Sequence, residues 1–514
     1  HVEQADLQQW LQLEMPAAVV GAPTRVALTD DELAEIDRRD AEAPGMTVVG
    51  RTKRLGRRVD FGEIGASLES GVERPFAGGF VRGTDDGGFV WATALTSDGA
   101  SALRVGFAGV RLPSSTDLYV HNLVGQAFGP YSRRDLTPAG ELWSNSVLGD
   151  TVIVQLRQWG PATDAELGAI SLSIEELGHI GPKFRPAVVA ATREFCEQNA
   201  SCVENTNCSG GPSWSAKADA EAATALMLWI SGAFINTCTG GLVSDTDGSS
   251  QIPYVLTANH CVSKNADAAN MEFYFQFEVA CGGNCPNEWA GGGIQRLGST
   301  LLATNRSGDY TLLQMSQSPP SGSSLMGWTT ANVANADGTT LYRISHPATA
   351  PQAYSAQTVD TSAGTCRGVP RGDWIYSRDI YGATEGGSSG SPVYNGAGQI
   401  VGQLTGACGF SPGDPCASED NATIDGAFAN YFDAIDQYLD PSPCSPSPED
   451  CDDGADNDCD GATDCSDADC SGDPACGSSG CVNPGGAPAG ASCSSNADCC
   501  SNKCKGPPSN LTCR

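Results

Sequence analysis

The stretch Glu385-Gly-Gly-Ser-Ser389-Gly-Ser-Pro-Val393 decides how this chain is read. Glycines at 387 and 390 flank two serines, so the backbone can turn tightly and aim successive N–H groups into one hole. A hydroxyl on such a turn becomes a nucleophile when a base and an orienting carboxylate reach it. Two further strings offer these groups. One is Leu256-Thr-Ala-Asn-His260-Cys261, preceded by Cys238-Thr-Gly-Gly-Leu-Val243; the other is Gly308-Asp309-Tyr-Thr-Leu-Leu313.

Each string has a local logic. A cysteine directly after the histidine can bridge back to Cys238 and pin the imidazole loop to the preceding strand. Asp309 opens an apolar run, which places its carboxylate at a strand entrance where desolvation strengthens its bond to the histidine. His260 is therefore the candidate general base, Asp309 its partner and Ser389 the nucleophile, with the N–H groups of Gly387 and Ser389 as oxyanion donors. A lone histidine or Gly-Ser loop is ordinarily structural. Here the order His, Asp, Ser, with separations of 49 and 80 residues, fits a two-barrel serine protease. Gly386-Gly-Ser388-Ser-Gly390 also matches a nucleophile elbow, but that arrangement needs a histidine after the serine, and the last histidine is His346. HExxH is absent, so zincin chemistry has no support.

These strings, with Val401-Gly-Gln-Leu-Thr-Gly406 and the Ser345-His-Pro347 turn, resemble trypsin-fold serine proteases of the bacterial lysyl endopeptidase kind. The resemblance spans about 194 to 440 and extends more weakly to the N-terminal segment, which is similar to the propeptide of those enzymes. It implies a mainly β fold of two six-stranded antiparallel barrels, and a structural His346. It also implies that Cys196 and Cys202 staple the start of the mature domain, the first near Cys408 or Cys416. Animal trypsins carry an Asp before the nucleophile to receive a freed N-terminus; that position is Ser388 here. Latency is thus expected from the N-terminal domain, with release at Arg193 preferred over Arg185, whose following Pro resists cleavage; Lys183 is a further basic point. The pocket is expected to be lined by Ala383, Thr384, Thr405, Gly406 and Ala407, none charged. Asp425 is the candidate carboxylate for a Lys or Arg side chain, although the family position aligns with Thr423. If Asp425 faces elsewhere, small or apolar residues are expected instead.

Outward from this core, composition sets the rest. The 514 residues hold 61 acidic against 29 basic side chains, a formal charge of −32, which disfavours nucleic acid and anionic membrane surfaces as partners. The longest apolar run, Ala222 to Ile235, is too short to span a bilayer. All 22 cysteines lie at or after Cys196, a density expected of a secreted, oxidised protein. The first residue is His1, with no basic-then-apolar leader, as if a signal peptide were already removed.

The cysteine-free segment 1–193 reads as a propeptide or inhibitory domain. It has helix-compatible stretches at Asp6–Met15 and Thr29–Arg39, then a β-sandwich over about 76–175. The basic run Arg51-Thr-Lys-Arg-Leu-Gly-Arg-Arg58 reads as a solvated face, or else a processing site or a partner for acidic groups. Residues 194–440 form the protease domain, closed by an amphipathic helix at Phe428–Leu439. A stiff Pro441–Pro448 linker follows.

Residues 441–480 carry Asp456, Asp458, Asp460, Gly461, Asp464 and Asp467 at EF-hand-like spacing. This resembles Asp-rich calcium repeats, so Ca2+ is the expected ligand, with no cofactor expected for catalysis. The tail 481–514 resembles a cystine knot, which would pair Cys481–Cys500, Cys493–Cys504 and Cys499–Cys513. The leading expectation is a secreted endopeptidase acting on protein or peptide substrates, with its own prodomain as partner. The alternative is a catalytically silent adhesion protein.

Overall fold

A computed structural model describes residues 2–43, 45–64, 68–132, 135–137, 139–181, 196, 199–208, 210–282, 293–441, 451, 469–470, 504–505 and 512–513. It divides into two compact units, His1–Ile435 and Asp436–Arg514. The first unit therefore contains both the N-terminal segment and the expected catalytic segment. In the second, the described residues include the Cys451–Cys470 disulfide and a short ribbon, Cys504–Lys505 against Thr512–Cys513. The basic cleavage points Lys183, Arg185 and Arg193 lie outside the described residues. So do the acidic run Asp456, Asp458, Asp460, Gly461, Asp464 and Asp467 and four of the six knot cysteines, Cys481, Cys493, Cys499 and Cys500.

The N-terminal part is a β-sandwich. One sheet runs Glu73–Phe76, Gly79–Gly83, Phe89–Thr96, Thr151–Gln158, Thr116–His121 and Ala127–Tyr131. The facing sheet runs Val147–Leu148, Ala102–Arg111, Ser171–Ile180 and Thr47–Asp60. Phe61, Trp91, Leu103, Phe107, Leu118, Val154 and Leu172 fill the space between them. The sandwich begins earlier than the expected 76, because the basic run is part of the strand Thr47–Asp60. Its charges take partners on the helix Asp30–Glu42: Arg51 bonds Glu35 at 2.6 Å and Lys53 bonds Glu32 at 2.8 Å. That helix starts in a capping box, Thr29 accepting from the Glu32 N–H while Glu32 accepts from the Thr29 N–H.

The same strand continues the sheet into the next domain. Its first half pairs with Phe234–Val243, with Thr237 opposite Thr47 and Phe234 opposite Arg51. Phe234–Val243 then pairs through its other end with Tyr254–Ala258. The first barrel is consequently an open run: Ile294–Leu297, Glu272–Phe275, Thr224–Ser231, Phe234–Val243, Tyr254–Ala258, Tyr310–Met315 and Ser299–Asn305. This differs from the expected six-stranded closed barrel, since one long strand forks between its own barrel and the N-terminal sheet. The second barrel is closed and six-stranded, in the order Thr340–Ser345, Ala353–Val359, Trp374–Tyr381, Asn421–Ala427, Ile400–Gly409 and Pro392–Tyr394.

Two further expectations are corrected. The closing helix is three short turns, Phe428–Tyr431, Phe432–Ala434 and Asp436–Leu439. Aromatic docking sets the first two turns, Tyr431 stacking on Tyr310 at 4.3 Å and Phe432 meeting Trp328 at 4.5 Å. Cys196, itself disulfide-bonded, takes neither Cys408 nor Cys416. Cys202 holds Cys416 and Cys366 holds Cys408, so the second of the two staples, not the first, reaches that region. Cys208–Cys281 adds a further bridge.

Candidate active site

The strand Tyr254–Ala258 ends at the loop carrying His260, and the neighbouring Tyr310–Met315 begins just after Asp309; their register sets Ala258 opposite Tyr310. The two side chains therefore meet. Asp309 accepts from the His260 backbone N–H at 2.9 Å through one oxygen and bonds the ring Nδ1 at 2.7 Å through the other. A carboxylate engaged at both oxygens fixes the ring plane and leaves Nε2 to face the cleft. Asp309 has φ of +50°, a left-handed backbone that a non-glycine residue adopts only when its surroundings enforce it. Gln403 supplies that constraint by donating to the Gly308 and Asp309 carbonyls at 2.8 and 3.1 Å. The Cys238–Cys261 disulfide forms as the sequence indicates. Its sulfurs lie near the His260 ring but, bonded to each other, cannot serve as thiolate ligands for a metal.

Ser389 is almost fully buried beside this pair. Its carbonyl accepts from the Thr239 N–H at 2.9 Å, which ties the turn to the first barrel. Gly390 is required by crowding: a Cβ there would collide with Thr257 Oγ1 and stand 2.6 Å from the Thr239 carbonyl. Ser388 points inward and bonds Ser345 at 3.1 Å. Glu385, upstream in the turn, accepts from Asn199 Nδ2 at 2.8 Å and the Ala200 N–H at 2.9 Å, and burial raises its pKa. His346 is fully buried, bonded through Nδ1 to the Ala350 carbonyl at 2.9 Å and stacked on Phe277. Burial lowers its pKa to about 4.

The N-terminal segment enters this site. Gly45 sits against both reactive groups: a Cβ on it would collide with Ser389 Oγ and stand 3.0 Å from His260 Nε2. Its carbonyl accepts from the Gly387 N–H at 2.8 Å, the position where an oxyanion would be held. Gly45 has φ of +81°, so glycine meets both the backbone and the space requirement. The chain is held on either side, Val48 N–H donating to Asp40 Oδ1 at 2.8 Å and Thr47 pairing with Thr237. The sequence reading missed this plug. The available signal was a helix of acidic first turn followed by the breakers Pro44-Gly45 and an extended strand.

Beside Ser389 opens a cavity of about 580 Å³, lined by Thr384, Leu404, Gly406, Ala407, Asp379 and Thr423 among others. Of the residues expected in the substrate pocket, Thr384, Gly406 and Ala407 line this cavity. Ala383 does not; it packs on Val203 and Ala353. Thr405 is also absent from the lining. Asp425 is corrected outright. It is fully buried inside the second barrel and ion-paired with Arg343, which is equally buried and donates to the Ser391 carbonyl at 2.8 Å. Thr423 and Asp425 share a face of their strand, but Thr423 lines the cavity while Asp425, two residues further on, meets the guanidinium in the barrel interior.

Five disulfides are described, and among the described residues no helix is long and apolar enough to cross a membrane. Residues 196–421 match the family model for the lysyl endopeptidase C-terminal domain. A lysyl endopeptidase of Pseudomonas aeruginosa is 27% identical over 375 residues, 70% of this chain and 77% of that protein. A secreted RxLR effector protein of Plasmopara viticola is 30% identical over 179 residues, covering 34% of this chain and 42% of its own. Among solved structures, an HtrA-type protease, AlgW, aligns over 44% of this chain and 62% of its own, with 14% identity and a TM-score of 0.33. The closed barrel and its half-open companion, with the match over residues 196–421 and the lysyl endopeptidase relative, support a trypsin-like serine endopeptidase that is similar to lysyl endopeptidases.

Proposed function

We propose that this chain is the latent form of a secreted endopeptidase that cuts proteins after basic residues through His260, Asp309 and Ser389. Ser389 Oγ attacks the scissile carbonyl while His260 Nε2 takes its proton, and Asp309 steadies the imidazolium through Nδ1–H. The developing oxyanion is received by the N–H groups of Gly387 and Ser389, and the acyl-enzyme is then released by water. The single observation that carries this reading is the Gly45 carbonyl held at 2.8 Å by the Gly387 N–H, directly beside Ser389 and His260. It supports both the oxyanion assignment and latency, since a substrate carbonyl needs the place that Gly45 takes.

The disulfides support secretion, and the name of the Pseudomonas aeruginosa relative supports basic specificity. Removal of residues 1–193 is the activating step in this reading. A fluorophosphonate probe tests it: labelling of Ser389 should be slow in the intact chain, fast after release of the segment, and absent in Ser389→Ala. Equal labelling before and after release would defeat the latency reading. Calcium is proposed for Asp456, Asp458, Asp460, Asp464 and Asp467, and calorimetry on the full chain with Ca2+ is its test.

A further inference from the structure

The cavity beside Ser389 needs a charge if it is to select a charged side chain, and Asp425 cannot supply it. Four carboxylates line the cavity: Asp40, Glu385, Asp414 and Asp379. Asp40 lies on the N-terminal helix and leaves with it. Glu385 is engaged at both oxygens by Asn199 and Ala200. Asp414 caps its own loop, accepting from the Cys416 N–H at 2.9 Å.

Asp379 differs from all three. It stands on the strand Trp374–Tyr381, where Ser377 pairs with Thr423, so side-chain alternation places 377 and 379 on one face. Its Oδ1 accepts from Thr423 Oγ1 at 3.2 Å, and among the described residues no Lys or Arg forms a salt bridge with it or lines the cavity. Arg343, whose charge acts on Asp379, is taken by Asp425 and Ser391. A half-buried carboxylate without a salt-bridge partner is costly to hold charged unless a cation arrives. Burial and the neighbouring Asp425 raise its pKa to about 6, against the opposing pull of Arg343 and the Thr423 bond.

We propose that Asp379 is the specificity-determining carboxylate of this protease, receiving the ammonium or guanidinium of the substrate residue before the cut, with Thr423 Oγ1 orienting it. This rests on the endopeptidase reading above. In effect the carboxylate has moved one strand over: the hydroxyl at 423 holds in place an acid that comes from 379.

The test uses the full chain after maturation, with active enzyme counted by fluorophosphonate labelling of Ser389. Peptides that differ only in Lys, Arg, Gln or Leu before the cut are compared. Asp379→Asn should lower kcat/KM for the Lys and Arg peptides by about 100-fold or more while leaving the Gln and Leu peptides within a few fold. The labelled fraction should be unchanged. The exchange Asp379→Thr with Thr423→Asp should restore much of the basic preference, which a merely structural role would not allow. An Asp379→Asn enzyme that labels normally and keeps its preference for Lys or Arg over Gln would overturn the proposal. So would a wild type with no such preference. A wild type that never labels would instead overturn the endopeptidase reading itself and this proposal with it.

Discussion

The two barrels meet the same packing demand with unequal means. The second closes through six strands and carries its buried charge, Arg343 with Asp425, within itself. The first is left open, and its long strand Phe234–Val243 finds part of its pairing in Thr47–Asp60 of the N-terminal segment. Its buried charge is also shared across that boundary. Glu272 accepts from Ser146 and Asn145 of the N-terminal segment, and Arg104 lies 3.8 Å from it while donating to the Asn270 carbonyl. The difference teaches that the N-terminal segment is a structural part of one barrel as well as a cover for the site, so its removal acts unequally on the two.

The largest expected effect follows directly. Expression without residues 1–193 exposes a strand edge and strips Glu272 of Arg104, so the yield of labelable enzyme should fall at least about ten-fold. Amide exchange should locate the defect. After release of the segment, 234–237 should exchange faster, while 340–345 in the closed barrel stay protected. Equal protection in both barrels would break the comparison.

A single side chain sharpens it. Arg104→Ala leaves Glu272 buried without its cation and should cost the full chain about 3 kcal/mol in denaturant unfolding, measured in a Ser389→Ala background. The released enzyme lacks residue 104 and cannot show this loss. Arg343→Ala, in the closed barrel, should destabilise both forms. An unchanged full chain in the Arg104 variant would contradict the shared-sheet account.

Acid should act on both forms through His346, and on the full chain additionally through His121 and His179, whose pKa values burial also lowers. The folded pKa of His346 is about 4 against 6.5 for the free side chain, because burial refuses the charge. Below pH 6.5 the unfolded chain binds a proton that the folded chain does not. Stability present above pH 6.5 therefore declines toward pH 4, by roughly 3 kcal/mol in all. Asp379 and Glu385 have raised pKa values and work the other way, gaining as they protonate. The difference between wild type and His346→Gln isolates the histidine; parallel pH profiles for the two would remove it as the cause.

At Gly45 the comparison concerns access instead of stability. Ala at φ +81°, with its methyl against Ser389 and His260, should loosen the plug and speed fluorophosphonate labelling of the intact chain by about ten-fold. The released enzyme should label as wild type does.

How much of this was legible follows the same division. His260, Asp309, Ser389 and the Cys238–Cys261 bridge were readable because local strings bring their own turn and strand signals. The closed barrel was readable as a class for the same reason. The strand Thr47–Asp60 was not, because its outward charges resemble a solvated run until the acidic helix that neutralises them is placed in space. The position of Asp425 was hidden for a related cause. Asp379 and Asp425 sit on adjacent strands and share a face, and only the folded barrel shows that the first lines the cavity while the second meets Arg343.

The smallest expected effect tests the outer face of the shared strand. Glu32 is held near pKa 2, first by the bond from Lys53 and then by the Thr29 N–H. A depressed carboxylate adds stability above its free pKa and loses it as pH falls toward 2. The pair is half exposed, however, with Lys53 at 36% and Glu32 at 20%, so solvent screens most of the attraction. Lys53→Ala should cost less than about 1 kcal/mol in the full chain and should vanish in high salt. A large, salt-independent loss would mean that the basic face, and not the sheet pairing beneath it, joins the N-terminal segment to the open barrel.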